Sequence, residues 1–195
     1  MTNNTRKRNK LVYGVGINDA DYLVSPIING KAVKCPYYQA WKGMLRRCYS
    51  KDFHKTNQTY ADCTVSSEWF LFSNFMAWMN KEDWQGKQLD KDILIQNNKT
   101  YSSSACIFVA EEINKLLNGH VKKRGLHPRG VSMRANNKYK AKCCTYGQTN
   151  HLGDYDTPEE AHEAYKTFKY KHIAEIANQQ SEPLRSALLN YVIEG

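Results

Sequence analysis

Between Pro36 and Tyr49 the apolar residues Tyr37, Trp41, Met44, Leu45 and Cys48 recur every three or four positions behind a proline suited to the first helical turn. That spacing predicts an amphipathic helix. The pattern returns from Ser67 to Asn80, where Ser67 is placed to cap a helix whose buried face is Trp69, Phe72, Phe75, Met76 and Met79. Aromatic residues at this spacing belong to a core. Further on, Gln88 to Leu94 and Ala105 to Ala110 read as short strands separated by the polar turn Gln96 to Ser104. Glu111 to Asn118 then resumes helical periodicity through Ile113, Leu116 and Leu117. Gly119 marks its stop, and Val121 to Arg124 is the candidate linker to a second domain.

The rhythm changes after the linker. Gly130 to Arg134 reads as a strand, Asn136-Asn137 as a turn, Tyr139 to Thr145 as a second strand, Gly147 as another turn, and His151-Leu152-Gly153 as a third strand. Side chains alternate across a strand, so Tyr139, Ala141 and Cys143 share one face while Lys138, Lys140, Lys142 and Cys144 share the other. Thr157-Pro158-Glu159-Glu160 supplies an N-cap, a first-turn proline and a capping-box glutamate. The helix it opens carries an apolar stripe of Ala161, Ala164, Tyr165, Phe168 and Ile176. This helix is expected to cover the sheet face opposite the lysines. A last amphipathic helix is predicted around Leu184 to Val192. The fold class is therefore α+β, organised as a basic arm over 1–12, an α+β domain over 13–120, a helix-backed sheet over 124–179 and a C-terminal helix over 181–195.

Composition narrows the class. The 195 residues are 41% hydrophobic and 24% charged, as in globular proteins, and no apolar run approaches the ~20 residues of a membrane span. The basic stretch Arg6, Lys7, Arg8 and Lys10 is not followed by the apolar run of a secretory signal, so it reads as a mobile arm. Six cysteines without export signals or a C-x-x-C pair fit free thiols in a reducing cytoplasm and argue against a structural zinc site.

The formal charge of +9 is unevenly placed. No Asp or Glu occurs between Glu112 and Asp154, a stretch that carries Lys115, Lys122, Lys123, Arg124, Arg129, Arg134, Lys138, Lys140 and Lys142. A one-signed segment of this kind suits a polyanion, whose condensed counterions are released on binding. Nucleic acid is the natural partner; oligomeric state is left open.

The order Arg129-Gly130-Val131, Lys138-Tyr139-Lys140-Ala141, His151-Leu152-Gly153-Asp154-Tyr155-Asp156-Thr157-Pro158-Glu159-Glu160-Ala161 and Ala164-Tyr165 resembles the APETALA2-type DNA-binding domain. The resemblance implies a three-stranded sheet lying in the major groove. By position it makes Arg129, Arg134, Lys138, Lys140, Lys142 and His151 the contact candidates. Ser132 and Cys144 stand where that family usually has arginine, and Tyr139 and His151 where it usually has tryptophan, so base specificity does not carry over.

In the first half, Trp41, Met44-Leu45, Arg47-Cys48-Tyr49, Trp69 and Leu89-Asp90-Lys91-Asp92 resemble phage-encoded proteins in which such a module follows a region related to HNH homing endonucleases. That resemblance implies a strand-strand-helix site holding a divalent metal such as Mg²⁺ against a scissile phosphate. Asp90 and Asn114 fall where metal ligands are expected, Lys91 falls where the catalytic histidine would stand, and Cys106 falls near the position of a central asparagine. An ordinary lysine is protonated at pH 7 and cannot serve as the base. Asp90, Lys91 and Asp92, with His54 as a substitute base, are the candidate catalytic residues; solvated charges at a structural turn are the competing interpretation. Three functions follow: a DNA-binding protein with degenerate or atypical HNH chemistry, an active metal-dependent homing-type endonuclease, or a phage regulatory or anti-defence protein acting on a host protein.

Overall fold

The helical spacing behind Pro36 is realised as α1, Pro36–Tyr49, in the computed structural model of the chain, which describes residues 11–118 and 127–193. Trp41, Met44, Leu45 and Cys48 are its buried residues, and Arg46 and Arg47 lie in the last turn, where cations suit the negative end of the helix. Two short strands precede it, β1 (Ile27–Ile28) and β2 (Lys31–Ala32). A four-residue helix follows, α2 (Lys51–His54), capped by Ser50 Oγ, which accepts from the Phe53 amide at 3.3 Å.

The single helix expected from Ser67 to Asn80 is broken. A 3₁₀ turn, Ser67–Phe70, is separated from α3, Phe72–Met79, by Leu71 in an extended conformation. The incoming N-terminal segment claims the backbone there. The Ile17 amide donates to the Phe70 carbonyl at 2.8 Å, and the Phe72 amide donates to the Ile17 carbonyl at 3.0 Å. Ser67 thus lies within the 3₁₀ turn and caps nothing. α1 and α3 share a core with Trp69, Cys63, Val65, Tyr101, Cys106 and Phe108, and the Trp41 indole N–H is satisfied by the Trp69 carbonyl at 2.6 Å.

Strand extents also differ from expectation. β3 (Thr64–Val65) pairs in parallel with β5 (Thr100–Tyr101), a strand inside the segment expected to be a polar turn, because Tyr101 is only 2% exposed and anchors that segment to the core. β4 (Gln88–Asp90) stops four residues early, since the Asp90 side chain turns the chain by accepting the amides of Asp92 and Ile93. It pairs with β6 (Ile107–Val109), and α4 (Glu111–Asn118) follows, so strand, strand and helix occur in the expected order.

The chain divides into two units, Met1–Phe108 and Val109–Gly195, which places α4 in the second. Within that unit Tyr191 donates from its hydroxyl to the Leu117 carbonyl at 3.4 Å, tying α4 to the C-terminal segment. The candidate linker Val121 to Arg124, the helix stop Gly119 and most of the basic arm lie outside the described residues; Val12, at the end of that arm, bridges to Gly16.

The second unit contains the three-stranded antiparallel sheet β7 (Val131–Met133), β8 (Tyr139–Thr145) and β9 (Gln148–Tyr155), in that order. α5 (Pro158–Ala177) packs across it, opened by a complete capping box: Glu160 N donates to Thr157 Oγ1, and Thr157 N to Glu160 Oε2, each at 3.2 Å. Such a cap contributes about 1 kcal/mol. The final helix, α6 (Leu184–Leu189), ends three residues before Val192 and packs on α5. The assembly is α+β, and no helix among the described residues is long and apolar enough to cross a membrane.

Gly130 sets how closely α5 approaches the sheet. Its φ is +83°, and a Cβ there would stand 2.2 Å from Cδ2 of Tyr165. Replacement by alanine therefore combines backbone strain with overpacking. Gly130→Ala is expected to destabilise the second unit by roughly 2–4 kcal/mol, read from urea unfolding followed by hydrogen exchange at Ala141 and Cys143. A loss below ~0.5 kcal/mol would show that the close contact is not needed.

Candidate nucleic-acid interface

Ala141 and Cys143, at 0% and 3% exposure, face α5, whose buried residues include Ala161, Tyr165 and Ile173. Alternation then turns Lys140 and Lys142 away from the helix. Lys142 and Cys144 are exposed and Lys140 is half-buried. Neither lysine ammonium forms an ion pair among the described residues.

A β-bulge shapes the same face. Ala141 pairs with Gly153 but Lys142 pairs with His151, which leaves Leu152 without a partner on β8. In a regular strand residues three apart point to opposite sides. Here the extra residue places His151 opposite Lys142 and Asp154 opposite Lys140 on one side, and His151 Nε2 lies 3.3 Å from Asp154 Oδ1. Arg134 donates from Nε to the same carboxylate oxygen at 2.8 Å. Slight desolvation opposes ionisation of Asp154, but the hydrogen bonds and charges of His151 and Arg134 hold its carboxyl below the usual carboxylate range. Lys138 is paired in turn with Asp156.

The acids that resume after the basic segment in sequence therefore fold back onto the lysine face. Arg134, Lys138, Lys140 and Lys142 set against Asp154 and Asp156 leave an excess of two positive charges. Both pairs are solvent-accessible, and exposed pairs contribute little to stability, which leaves either carboxylate free to exchange for another anion.

The structure brings five of the six contact candidates together. Arg129 stands apart: its carbonyl is 2.9 Å from His162 Nδ1, and its charge acts on Lys169 and Cys143, on the helix-facing side. Sequence reading missed the buried polar residues of α5, namely His162, Lys169 and His172. They fall at the spacing of the apolar stripe, which is the signal that would have found them. Burial first, and Arg129 as well, lower the pKa of Lys169.

Comparison with protein-family models, with curated proteins and with solved structures finds no match in any of the three.

In the first unit the Asp90-Lys91-Asp92 segment is tied into its own loop. Asp90 Oδ1 accepts from Asp92 N at 2.8 Å and Ile93 N at 2.9 Å; Lys91 Nζ donates to Asp92 Oδ2 and to the Asn98 carbonyl, each at 2.8 Å. Asn98 Nδ2 returns bonds to the Lys91 and Thr100 carbonyls at 2.6 and 2.7 Å. Burial opposes the charge on Lys91, but its hydrogen bond to Asp92 and that residue's charge raise its pKa, so the ammonium remains protonated. Its charge lies directly against the Asp92 carboxylate.

Asn114 lies on α4 in the other unit. His54 is held through Nε2 by the Arg47 carbonyl at 2.7 Å, which makes that nitrogen the donor and gives the ring an anchoring role. Cys106 is pushed up to about 12 by burial and is no nucleophile at neutral pH. Among the described residues no group of three His, Cys, Asp or Glu side chains converges as a metal site. Asp90 and Asp92 each commit a carboxylate oxygen to a partner within this loop.

Burial, and next the Asp92 charge, push Asp90 up to about 6. A carboxyl raised in the folded state favours folding below its unfolded value and loses that contribution as pH rises through the folded value. Stability of the first unit is expected to fall by about 1–3 kcal/mol from pH 4 to pH 7 through this group. In Asp90→Asn, which keeps the Oδ1 acceptor, that slope should vanish in urea titrations. Equal slopes in the two proteins would refute the assignment.

Proposed function

We propose that this chain is a double-stranded DNA-binding protein whose second unit grips the duplex through the outer face of β7, β8 and β9. The supporting observation is the pair of lysines, Lys140 and Lys142, directed away from α5 on the strand at the centre of the sheet and in no ion pair among the described residues. An antiparallel sheet with a helix on its back is thin enough for a DNA groove, as the APETALA2-type resemblance implies, and phosphates complete the coordination of its cations. Arg134, Lys138 and His151 flank the pair and exchange Asp154 and Asp156 for phosphate on binding.

The first unit, on this reading, is an HNH-related scaffold whose loop around Asp90 has become structural. Its support is the Lys91–Asp92 ion pair at the centre of the expected site. The chain is placed in the bacterial cytoplasm of an infected host by the phage-type resemblance alone.

A gel-shift titration with labelled duplex, run across salt concentrations with and without Mg²⁺ or Mn²⁺, tests both parts. Wild-type affinity should fall steeply with salt. Lys140→Gln/Lys142→Gln should bind ~10- to 100-fold more weakly in low salt and flatten the log–log salt slope by about 2, because each lysine neutralises one phosphate. No product should appear with either metal. Cutting that is lost in Asp90→Ala would instead establish the homing-type endonuclease, and binding indifferent to salt would favour a host-protein target.

A further inference from the structure

All eight residues from Ile27 to Lys34 are solvent-exposed, among them Ile27 at 77%, Ile28 at 51% and Val33 at 48%. They form the end of an antiparallel ribbon in which Ile27 pairs with Ala32 and Ile28 with Lys31. Asn29 and Gly30 make the turn with φ of 51° and 73°, both left-handed, as a tight two-residue hairpin requires. The ribbon continues inward through Val33 N to the Pro26 carbonyl at 2.8 Å and Cys35 N to the Val24 carbonyl at 2.9 Å.

Its foot is anchored. Val24 and Cys35 pack against the core of the first unit, and the Tyr22 hydroxyl donates to Met76 Sδ at 3.2 Å. The tip packs on none of the described residues. Alternation puts Pro26, Ile28, Lys31 and Val33 on one side and Ile27 and Ala32 on the other, so both sides of the tip present β-branched residues to water. An apolar two-stranded ribbon is marginal alone and prone to stray pairing, which marks the surface as one that is covered in use.

Charge identifies what covers it. From Tyr22 to Lys51 the chain has no Asp or Glu, and its exposed cations are Lys31, Lys34, Lys42, Arg46 and Lys51, Arg47 being turned inward onto Tyr101. Lys31 and Lys34 flank the apolar tip and make no ion pair among the described residues. A partner that combines a dense array of negative charge with an apolar interior reached through a groove is a nucleic-acid duplex. There aliphatic side chains enter between base steps while flanking cations hold the phosphates.

We propose that the Val24–Cys35 hairpin is a wedge that enters the minor groove of double-stranded DNA, with Ile27 and Ile28 opening a base step and Lys31 and Lys34 holding the phosphates beside it. The proposal rests on the reading of the chain as a duplex-binding protein, and it adds a second, bending contact from the first unit.

The test uses the full chain and ~30-base-pair duplexes that carry 2-aminopurine at successive steps and a dye pair at the ends. Wild type should raise 2-aminopurine emission at one step by about twofold or more and shorten the end-to-end distance. Ile27→Ser/Ile28→Ser, altered only at exposed positions, should keep its melting temperature, bind ~5- to 20-fold more weakly and leave emission and distance unchanged.

Salt-sensitive binding by wild type with no emission change, or a serine variant that bends DNA as wild type does, would overturn the wedge and leave the proposed function standing. A wild type that sediments as a dimer while the serine variant is monomeric would also overturn it, by assigning the ribbon to a second copy. Failure of wild type to bind duplex at all would remove both the function and the wedge.

Discussion

Contact between α5 and the inner side of the sheet is the constraint on which the second unit depends. Ala141 and Cys143 are sealed beneath Ala161, Tyr165 and Ile173, and Gly130 allows the Tyr165 ring to reach the start of the first strand. Once that side is dry, the period of two leaves Lys140 and Lys142 no alternative to the outer face. A register slip of one residue would bury both ammonium groups and expose the alanine, at a cost far beyond the stability of so small a unit. The same packing that folds the unit thus sets out its cations.

The outer face is tuned as well as charged. Through the bulge at Leu152, Asp154 reaches both Arg134 and His151, and Asp156 holds Lys138. The carboxylates of Asp154 and Asp156 hold these cations in place and lower the net positive charge of the face. Lys140 and Lys142 make no ion pair among the described residues. In the first unit the same kind of pairing recurs: Asp90, Lys91 and Asp92 bond to one another and to the nearby backbone.

Much of this was legible in the sequence where a single local rule decides. The capping box at Thr157, the alternation through Tyr139 to Thr145 and the helical stripe from Trp41 to Cys48 all appear as expected, since each needs only neighbours within one element. What the sequence hid depends on distant partners. Ile17 breaks the helix at Leu71; Tyr101 turns a polar loop into a strand through its burial; the bulge brings Asp154 beside Arg134, twenty positions earlier in the chain. The hairpin around Asn29-Gly30 was a missed local signal, because that dipeptide between short β-branched runs is itself a turn predictor. The order strand, strand, helix was legible from periodicity, and the structure adds β5 between the two strands. The backbone amides that Asp90 accepts, which turn the chain after β4, had no signature in the sequence.

Lysine-reactivity footprinting, in which amines of the full chain are reductively methylated with and without duplex DNA and counted by mass spectrometry, tests the assigned face most directly. Protection of Lys138, Lys140 and Lys142, with exposed Lys171 on the back of α5 reacting equally in both states, is the predicted result. Protection of Lys171 with Lys140 and Lys142 still reactive would place the duplex on the helix side and contradict the interface.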